Sequence, residues 1–409
     1  MKADIPPTSD AGEPLSAMEP LWVADGARQR SELNDLALEL AQRFAGYRRS
    51  LPPGLVVSLA RLVRSTNCYY SNLIEGHDTH PVDIERALAG DLSADPRQRD
   101  LQLEARAHVT VQAWIDGGGL AGRVFEQAAL CEIHRRFCEV LPAELMQVDD
   151  PRTGARLTLV RGEFRRQHVA VGRHVPVSPG AVPRFIDRLL TAYGRLGRAE
   201  AIVATAAAHH RLLWVHPFLD GNGRVARLWS HAILLETLDT GAIWSVARGL
   251  ARHVADYKSH LAACDRPRRN DLDGRGSLSE ESLAEFTRFF LTTCLDQVRF
   301  MEDLVQPDAL RTRILAWADE EARLGRLPAR GGAVLAALLY RGELPRAEVP
   351  AIVGAGERQA RRIVAPLIEA GVVTSPTPRA PLSLAFPATL AARWLPGLFP
   401  ERGDAPRRR

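Results

Sequence analysis

The sequence predicts a mostly α-helical protein with one β-hairpin flap and a C-terminal winged-helix-like unit. Three observations carry this. Apolar residues recur at helical spacing through most of the 409 positions. Residues 153–179, TGARLTLVRGEFRRQHVAVGRHVPVSP, break that rhythm with short Val and His runs between glycines, the pattern of a hairpin or extended flap. Residues 331–387 hold three short helical stretches and then two strand-like runs around a Pro-rich turn, the order of a winged helix-turn-helix.

Taken in order, residues 1–25 read as a disordered or extended N-terminus rich in Pro and acidic residues. A helical N-terminal unit follows over 26–119. RSELNDLALELAQRFAGY places Leu33, Leu36, Leu38, Leu40 and Phe44 on one stripe. LPPGLVVSLARLVRSTNCYYSNLIEG is a second helix or two, stopped at Gly76. HPVDIERALAG opens with Pro at the first helical position. The helix after Asp95 stops at the glycines 117–119. A core unit spans 120–303, with helices over 125–141, 179–196, 199–215 and 225–238 flanking the flap and the turn-rich break HPFLDGNGR. The third unit, 308–400, opens with RILAWADEEARLG and continues into the winged-helix pattern.

Bulk composition excludes several classes. Lys+Arg is 53 against Asp+Glu 49, so no global nucleic-acid signal exists. The five cysteines are scattered and contain no CxxC pair, as expected of reduced thiols in a cytosolic protein. No apolar run approaches the roughly 18 residues of a membrane span, and the N-terminus lacks a signal-peptide h-region. A soluble, cytoplasmic protein without a membrane partner is expected.

Chemistry concentrates in HPFLDGNGRVAR, residues 216–227. A Gly-Asn-Gly turn opening a helix converges backbone N–H groups and the helix dipole on one point, which makes an anion cradle. Gly221 and Gly223 permit unusual dihedrals and leave room for a phosphate. Arg224 and Arg227 lie three apart on the first turns, and guanidinium groups suit phosphate oxygens. Asp220 is placed as a hard-oxygen ligand for Mg²⁺ shared with those phosphates. His216 can serve as a general base near neutral pH. Together they describe hydroxyl attack on the phosphorus of a polyphosphate. His209 and His210 form no metal set with His216, because adjacent helical residues point about 100° apart and no carboxylate completes the group.

The stretch HPFLDGNGRVAR resembles the Fic (filamentation induced by cAMP) signature, HPFx[D/E]GNGRxxR, at every specified position. That resemblance implies a Fic-type helical core and a protein adenylyltransferase, which moves AMP from ATP to a Tyr, Thr or Ser hydroxyl of a target protein and releases pyrophosphate. It implies His216 as the base and Asp220 as the Mg²⁺ ligand. Gly221, Asn222, Gly223 and Arg224 would bind the α- and β-phosphates, and Arg227 the γ-phosphate. The GEFRRQHVAVG flap would dock the target segment by strand addition through Val169, Val171 and Gly172. ARHVADYKSHL resembles the helix that closes the adenine pocket, making Tyr257 a nucleotide contact.

Residues 71–76, SNLIEG, place Ser71 and Glu75 one helical turn apart just before a terminal glycine. They resemble the family's inhibitory helix, [S/T]xxxE[G/N]. By that resemblance Glu75 pairs with Arg227 and keeps it from the γ-phosphate, Ser71 helps to seat the helix, and Gly76 either caps it in αL or avoids crowding. The target, the chain itself included, stays open, as do the nucleotide base and reverse de-AMPylation. The arginines at 358, 361 and 362 make DNA a candidate partner of the C-terminal unit, with protein docking or homodimerisation as alternatives. A DNA-binding regulator or self-modifying nucleotide sensor is the alternative function.

Overall fold

The computed structural model describes residues 9–149 and 154–400. Residues 1–8 of the expected N-terminal extension and the basic tail after 400 lie outside the described residues. Helix α1 (Arg30–Arg49) buries Leu33, Ala37, Leu40, Phe44 and Tyr47 on one face. Leu38, expected on that stripe, is instead 57% exposed. The buried face drifts to Ala37 and Tyr47 because 3.6-residue periodicity sets the stripe, and Leu38 falls behind it.

α2 (Pro53–Glu75) is one continuous helix with buried residues on nearly every side, as a helix at the centre of a protein must have. Its end is set by Gly76 in the left-handed region at φ 91°, whose N–H returns to the carbonyls of Asn72 and Leu73. A Cβ at Gly76 would meet nothing within 4 Å. Backbone conformation, not crowding, therefore requires this glycine. α3 (Pro81–Leu88) and α4 (Pro96–Asp116) both start with Pro, capped by the His80 ring and the Asp95 carboxylate. α5 (Gln127–Glu139) leads to β1 (Gln147–Asp149), which pairs antiparallel with β2 (Arg156–Thr158) in the register Val148↔Leu157.

The expected hairpin over 153–179 thus forms only in part: its first strand pairs backward with β1, and its later half shows a single bridge, Val171↔His174. The carbonyls of Gln167 and Val177 are taken by the Arg165 guanidinium, so they are not free to build a ladder.

α6 (Val182–Tyr193), α7 (Arg198–Val215) and α8 (Asn222–Leu238) form the centre of the core unit. Alanines at 201, 204, 206, 207 and 208 keep α7 thin, so α8, α6 and α11 pack closely around it. α9 (Val246–Arg252), α10 (Val254–Cys264) and α11 (Glu280–Leu304) complete that wall.

The C-terminal unit runs α12 (Pro307–Arg323), α13 (Gly331–Arg341), β3 (Glu343–Leu344), α14 (Val349–Val353), α15 (Glu357–Glu369), β4 (Val373–Thr374) and β5 (Leu382–Leu384). Its sheet order is β3-β5-β4, all antiparallel. The helices and the last two strands follow in the order the sequence suggests, and β3 is an added strand that two residues of sequence do not announce. α16 (Ala391–Trp394) and the run to Phe399 fold back: Tyr70 donates its hydroxyl to the Leu398 carbonyl at 2.8 Å, and Phe399 stacks on Tyr70. One hydrophobic core extends from α1 and α2 through α11 into this unit.

The N-terminal segment also departs from expectation where it is described. Met18, Leu21 and Val23 are buried. Arg211, itself fully buried, donates from Nε and Nη2 to the Pro20 carbonyl at 2.9 and 2.8 Å. Pro and acidic residues gave it a disordered composition, but three apolar side chains and one carbonyl partner tie it down.

Candidate active site

His216 terminates α7 with a left-handed backbone, φ 51° and ψ 61°. Such a conformation costs a non-glycine residue about 1–3 kcal/mol and persists only where neighbours over-determine it. Arg165 supplies that restraint. It is 3% exposed and donates from Nε to the His216 carbonyl at 2.7 Å. Its Nη1 reaches the Gln167 carbonyl at 2.9 Å, and its Nη2 reaches Val177 at 2.6 Å and Val215 at 3.3 Å. Its own N–H donates to the Pro217 carbonyl at 2.8 Å. One buried cation therefore joins both ends of the flap to the turn that carries His216. Burial, and after it the Arg165 charge, pulls the His216 imidazole down to about 4. The ring is neutral at pH 7 and can accept a proton.

The turn continues through buried Phe218 to Gly221 at φ 79°, the N-cap of α8. Asn222 is 2% exposed, and its side chain is spent on the turn: Oδ1 accepts from the Phe218 N–H at 2.9 Å and Nδ2 donates to the Phe218 carbonyl at 2.8 Å. For the phosphate contact expected of it, Asn222 thus has only its backbone left. No side chain caps α8, and its first intrahelical bond is Val225 N–H to Gly221. The N–H groups of Asn222, Gly223 and Arg224 lack intrahelical partners and point out of the helix end. His134, stacked on Phe218 at 4.0 Å, backs Gly221 and accepts from the Gly162 N–H at 2.9 Å.

Both motif arginines are buried and held by carboxylates. Arg227 donates from Nε to the Ser71 hydroxyl at 2.8 Å, from Nη2 to the Ser71 carbonyl at 3.3 Å, and from Nη2 to Glu75. Burial pushes the Glu75 carboxyl up, and Arg227 more than offsets that, leaving it below the usual range. A Cβ on Gly223 would collide with Glu75 Oε1, so the Glu75 carboxylate lies directly over the open end of α8. Arg224 rests on the Phe137 ring at 4.7 Å, with Glu104 at 3.4 Å and Asp220 at 3.5 Å. Burial opposes its charge, and Glu104 then Asp220 outweigh that. The Asp220 side chain is 58% exposed at the rim.

Ser71, Glu75, His216, Gly221, Gly223, Arg224, Arg227 and Asp220 are thus brought to one place. Val171 is exposed at the flap tip, Val169 is half-buried, and Gly172 adopts φ 59° in the turn between Val171 and His174. Tyr257 is the exception. It is 2% exposed, and its hydroxyl meets His209 Nε2 at 2.7 Å in the packing behind Arg227. It supports the arginine from within the core and presents no face to an adenine. His209 also bonds Ser230 at 2.9 Å, and His210 bonds Asp265 at 3.0 Å.

Sequence reasoning did not single out Arg165, Glu104 or His134. Arg165 lay within the quoted flap stretch, but nothing local distinguishes it from Arg166 beside it. Glu104 pairs with His77 Nδ1 at 2.7 Å, one residue beyond Gly76. That partnership spans 27 positions and has no sequence signal.

Residues 124–234 match the Fic/DOC family. Relatives named protein adenylyltransferase Fic occur in Drosophila willistoni, 29% identical over 171 residues, and Drosophila yakuba, 38% identical over 173 residues. Each match takes in 41% of this chain and 31% of the relative, so the chain matches about a third of their length. The crystal structure of a Fic family protein from Desulfovibrio desulfuricans G20 has a TM-score of 0.52, 18% identity, and covers 89% of this chain and 98% of that one. A Fic domain-containing signaling protein from Bacteroides thetaiotaomicron VPI-5482 has a TM-score of 0.50 and 18% identity over 65% of this chain and 95% of its own. These two likenesses concern the fold. The motif turn thus heads a buried helix inside residues 124–234, the segment of this chain that matches the Fic/DOC family, and the helical fold around it is shared with the Desulfovibrio protein.

Proposed function

We propose that the protein is an ATP-dependent protein adenylyltransferase restrained by its own α2 helix. The observation that carries this reading is the Glu75–Arg227 pair lying over the open N-terminus of α8. A helix end with free N–H groups and two buried arginines is built for an anion, and the chain fills it with its own carboxylate.

In the released state, the N–H groups of Asn222, Gly223 and Arg224 receive phosphate oxygens, Arg224 pairs with the inner phosphates and Arg227 with the terminal one. The flap, fastened by Arg165, holds a target segment with its hydroxyl toward the α-phosphorus. The His216 imidazole takes the hydroxyl proton as the target oxygen bonds to phosphorus and the bond to the β-phosphate bridging oxygen breaks, releasing pyrophosphate. Asp220 is the residue fitted to a magnesium ion, since its exposed carboxylate sits at the cradle rim and such ions take one or two carboxylates plus substrate phosphates. A magnesium ion bound there would neutralise phosphate charge. Among the described residues no group of three His, Cys, Asp or Glu side chains forms a metal cage.

Incubation with α-labelled ATP tests the reading. Label should transfer to this protein or to a co-purified target, pyrophosphate should be released, and His216→Ala should abolish both. UTP and CTP in parallel identify the base. A Glu75→Gly protein that transfers no label from any nucleotide defeats it.

A further inference from the structure

The chain's positive charge is segregated. Residues 307–400 carry 12 arginines against 8 acidic residues, whereas residues 1–306 carry 37 Lys and Arg against 39 Asp and Glu. Much of the excess gathers at one element. α15 exposes Arg358, Arg361 and Arg362 on its solvent side, while Ala360, Ile363, Val364 and Leu367 face inward. Spacings of three and four put Arg358, Arg361 and Arg362 on one helical surface.

The approach to α15 is that of a helix-turn-helix. α14 ends at Gly354 in the left-handed region, φ 59°, and three residues later α15 begins. Arg330 Nη1 donates to the Val353 and Gly354 carbonyls at 2.8 and 2.9 Å and fixes that turn. The loop between β4 and β5 carries Arg379 at the exposed tip and lies beside α15, with a groove of about 600 Å³ between them where Arg346, Arg361 and Arg379 stand among apolar residues such as Val349, Val364 and Ile368. Arg346 braces this wing by donating to the Ala380 carbonyl at 3.1 Å. Among the described residues Arg358, Arg362 and Arg379 form no ion pair, and Arg361 has only the exposed Glu357 at 3.5 Å. The opposite side of the unit, α13 and β5, packs on α2, so the arginine surface faces away from the rest of the protein.

We infer that α15 and its wing form a docking surface for double-stranded DNA. Cations without partners on a helix wide enough for the major groove, flanked by a cationic loop, complement two rails of phosphate. Apolar side chains line the groove between helix and wing, but the exposed surface of α15 itself carries three arginines and no large apolar side chain besides Ile368, which suits phosphates better than an apolar protein partner. The surface lies outside the nucleotide cradle and does not depend on the transferase reading.

Fluorescence anisotropy of the full-length protein with a labelled mixed-sequence duplex of about 30 base pairs tests this. Four arginines on phosphates give a log–log salt slope of about −3.6, so affinity should fall about 100-fold between about 50 and 200 mM salt. The variant R358A/R361A/R362A should weaken binding at least about tenfold at the lower salt and cut the slope by about 3, with an unchanged melting curve because the three side chains are exposed. Excess ATP should not displace the duplex. The inference is overturned by absence of duplex binding at micromolar protein in low salt, by an unchanged slope in the triple variant, or by displacement with ATP. It is equally overturned if the triple variant abolishes self-association in sedimentation while the parent protein shows no affinity for duplex, since the surface is then an interface between two copies.

Discussion

Replacing Glu75 by Gln keeps the side chain's size and removes its charge. Arg227 then retains the Ser71 hydroxyl and carbonyl, at 2.8 and 3.3 Å, and loses its carboxylate. A hydrogen bond to a charged group contributes about 1.5–3 kcal/mol net. The Glu75 side chain is 35% exposed, so solvent screening reduces that to about 1–2 kcal/mol. The released population should therefore grow about 5- to 30-fold, and the initial rate of label transfer with it. Glu75→Gly should do at least as much, because it also clears the space over Gly223. The sign with pH is fixed by the depressed Glu75 carboxyl. The ion pair holds fully above the ordinary carboxylate range and is lost as pH falls through the lowered value, so an assay at pH 7.5 meets an intact lock in the parent protein. The readout is initial rate at subsaturating ATP, with a melting curve to show folding. Transfer within about twofold of the parent in both folded variants refutes the lock, since a release of 1 kcal/mol already exceeds that factor.

The His216 imidazole at about 4 predicts that kcat/KM, measured in Glu75→Gln to remove the lock, is flat from pH 6 to 8 and declines only below about 5. Arg165→Ala should move that acid limb upward, because it removes a neighbouring positive charge, and should lower kcat as the flap and the His216 turn come apart. An unmoved limb would show that Arg165 acts on stability alone. Phe399→Ala removes a ring packed on Tyr69 and Tyr70, the two residues immediately before Ser71. It should cost about 1–3 kcal/mol of stability, seen as a lower melting temperature, and should raise transfer severalfold by loosening α2. Unchanged transfer in a destabilised Phe399→Ala protein would confine that contact to stability.

Helix limits were legible because their determinants are local. Pro81 and Pro96 start helices, Gly76 ends one, and Gly221 with Gly223 opens another. Leu38 and Tyr257 were misread for one reason: periodicity and family resemblance indicate which face of a helix matters, but a neighbour's packing decides what that face meets. The flap was misread because its ladder depended on where Arg165 would spend its five donors, a choice made by carbonyls 2 to 51 positions away.

By itself the sequence determined the dihedral plan of the cradle, the chemistry of its side chains and the carboxylate one turn above Ser71. Neighbouring residues set all of these. Only the tertiary structure decided that Glu75 meets Arg227, 152 positions away, and that Glu104 backs Arg224. Such pairings follow from how α2 and α4 pack against α8. Packing is a property of the whole core, and no short stretch of chain contains it.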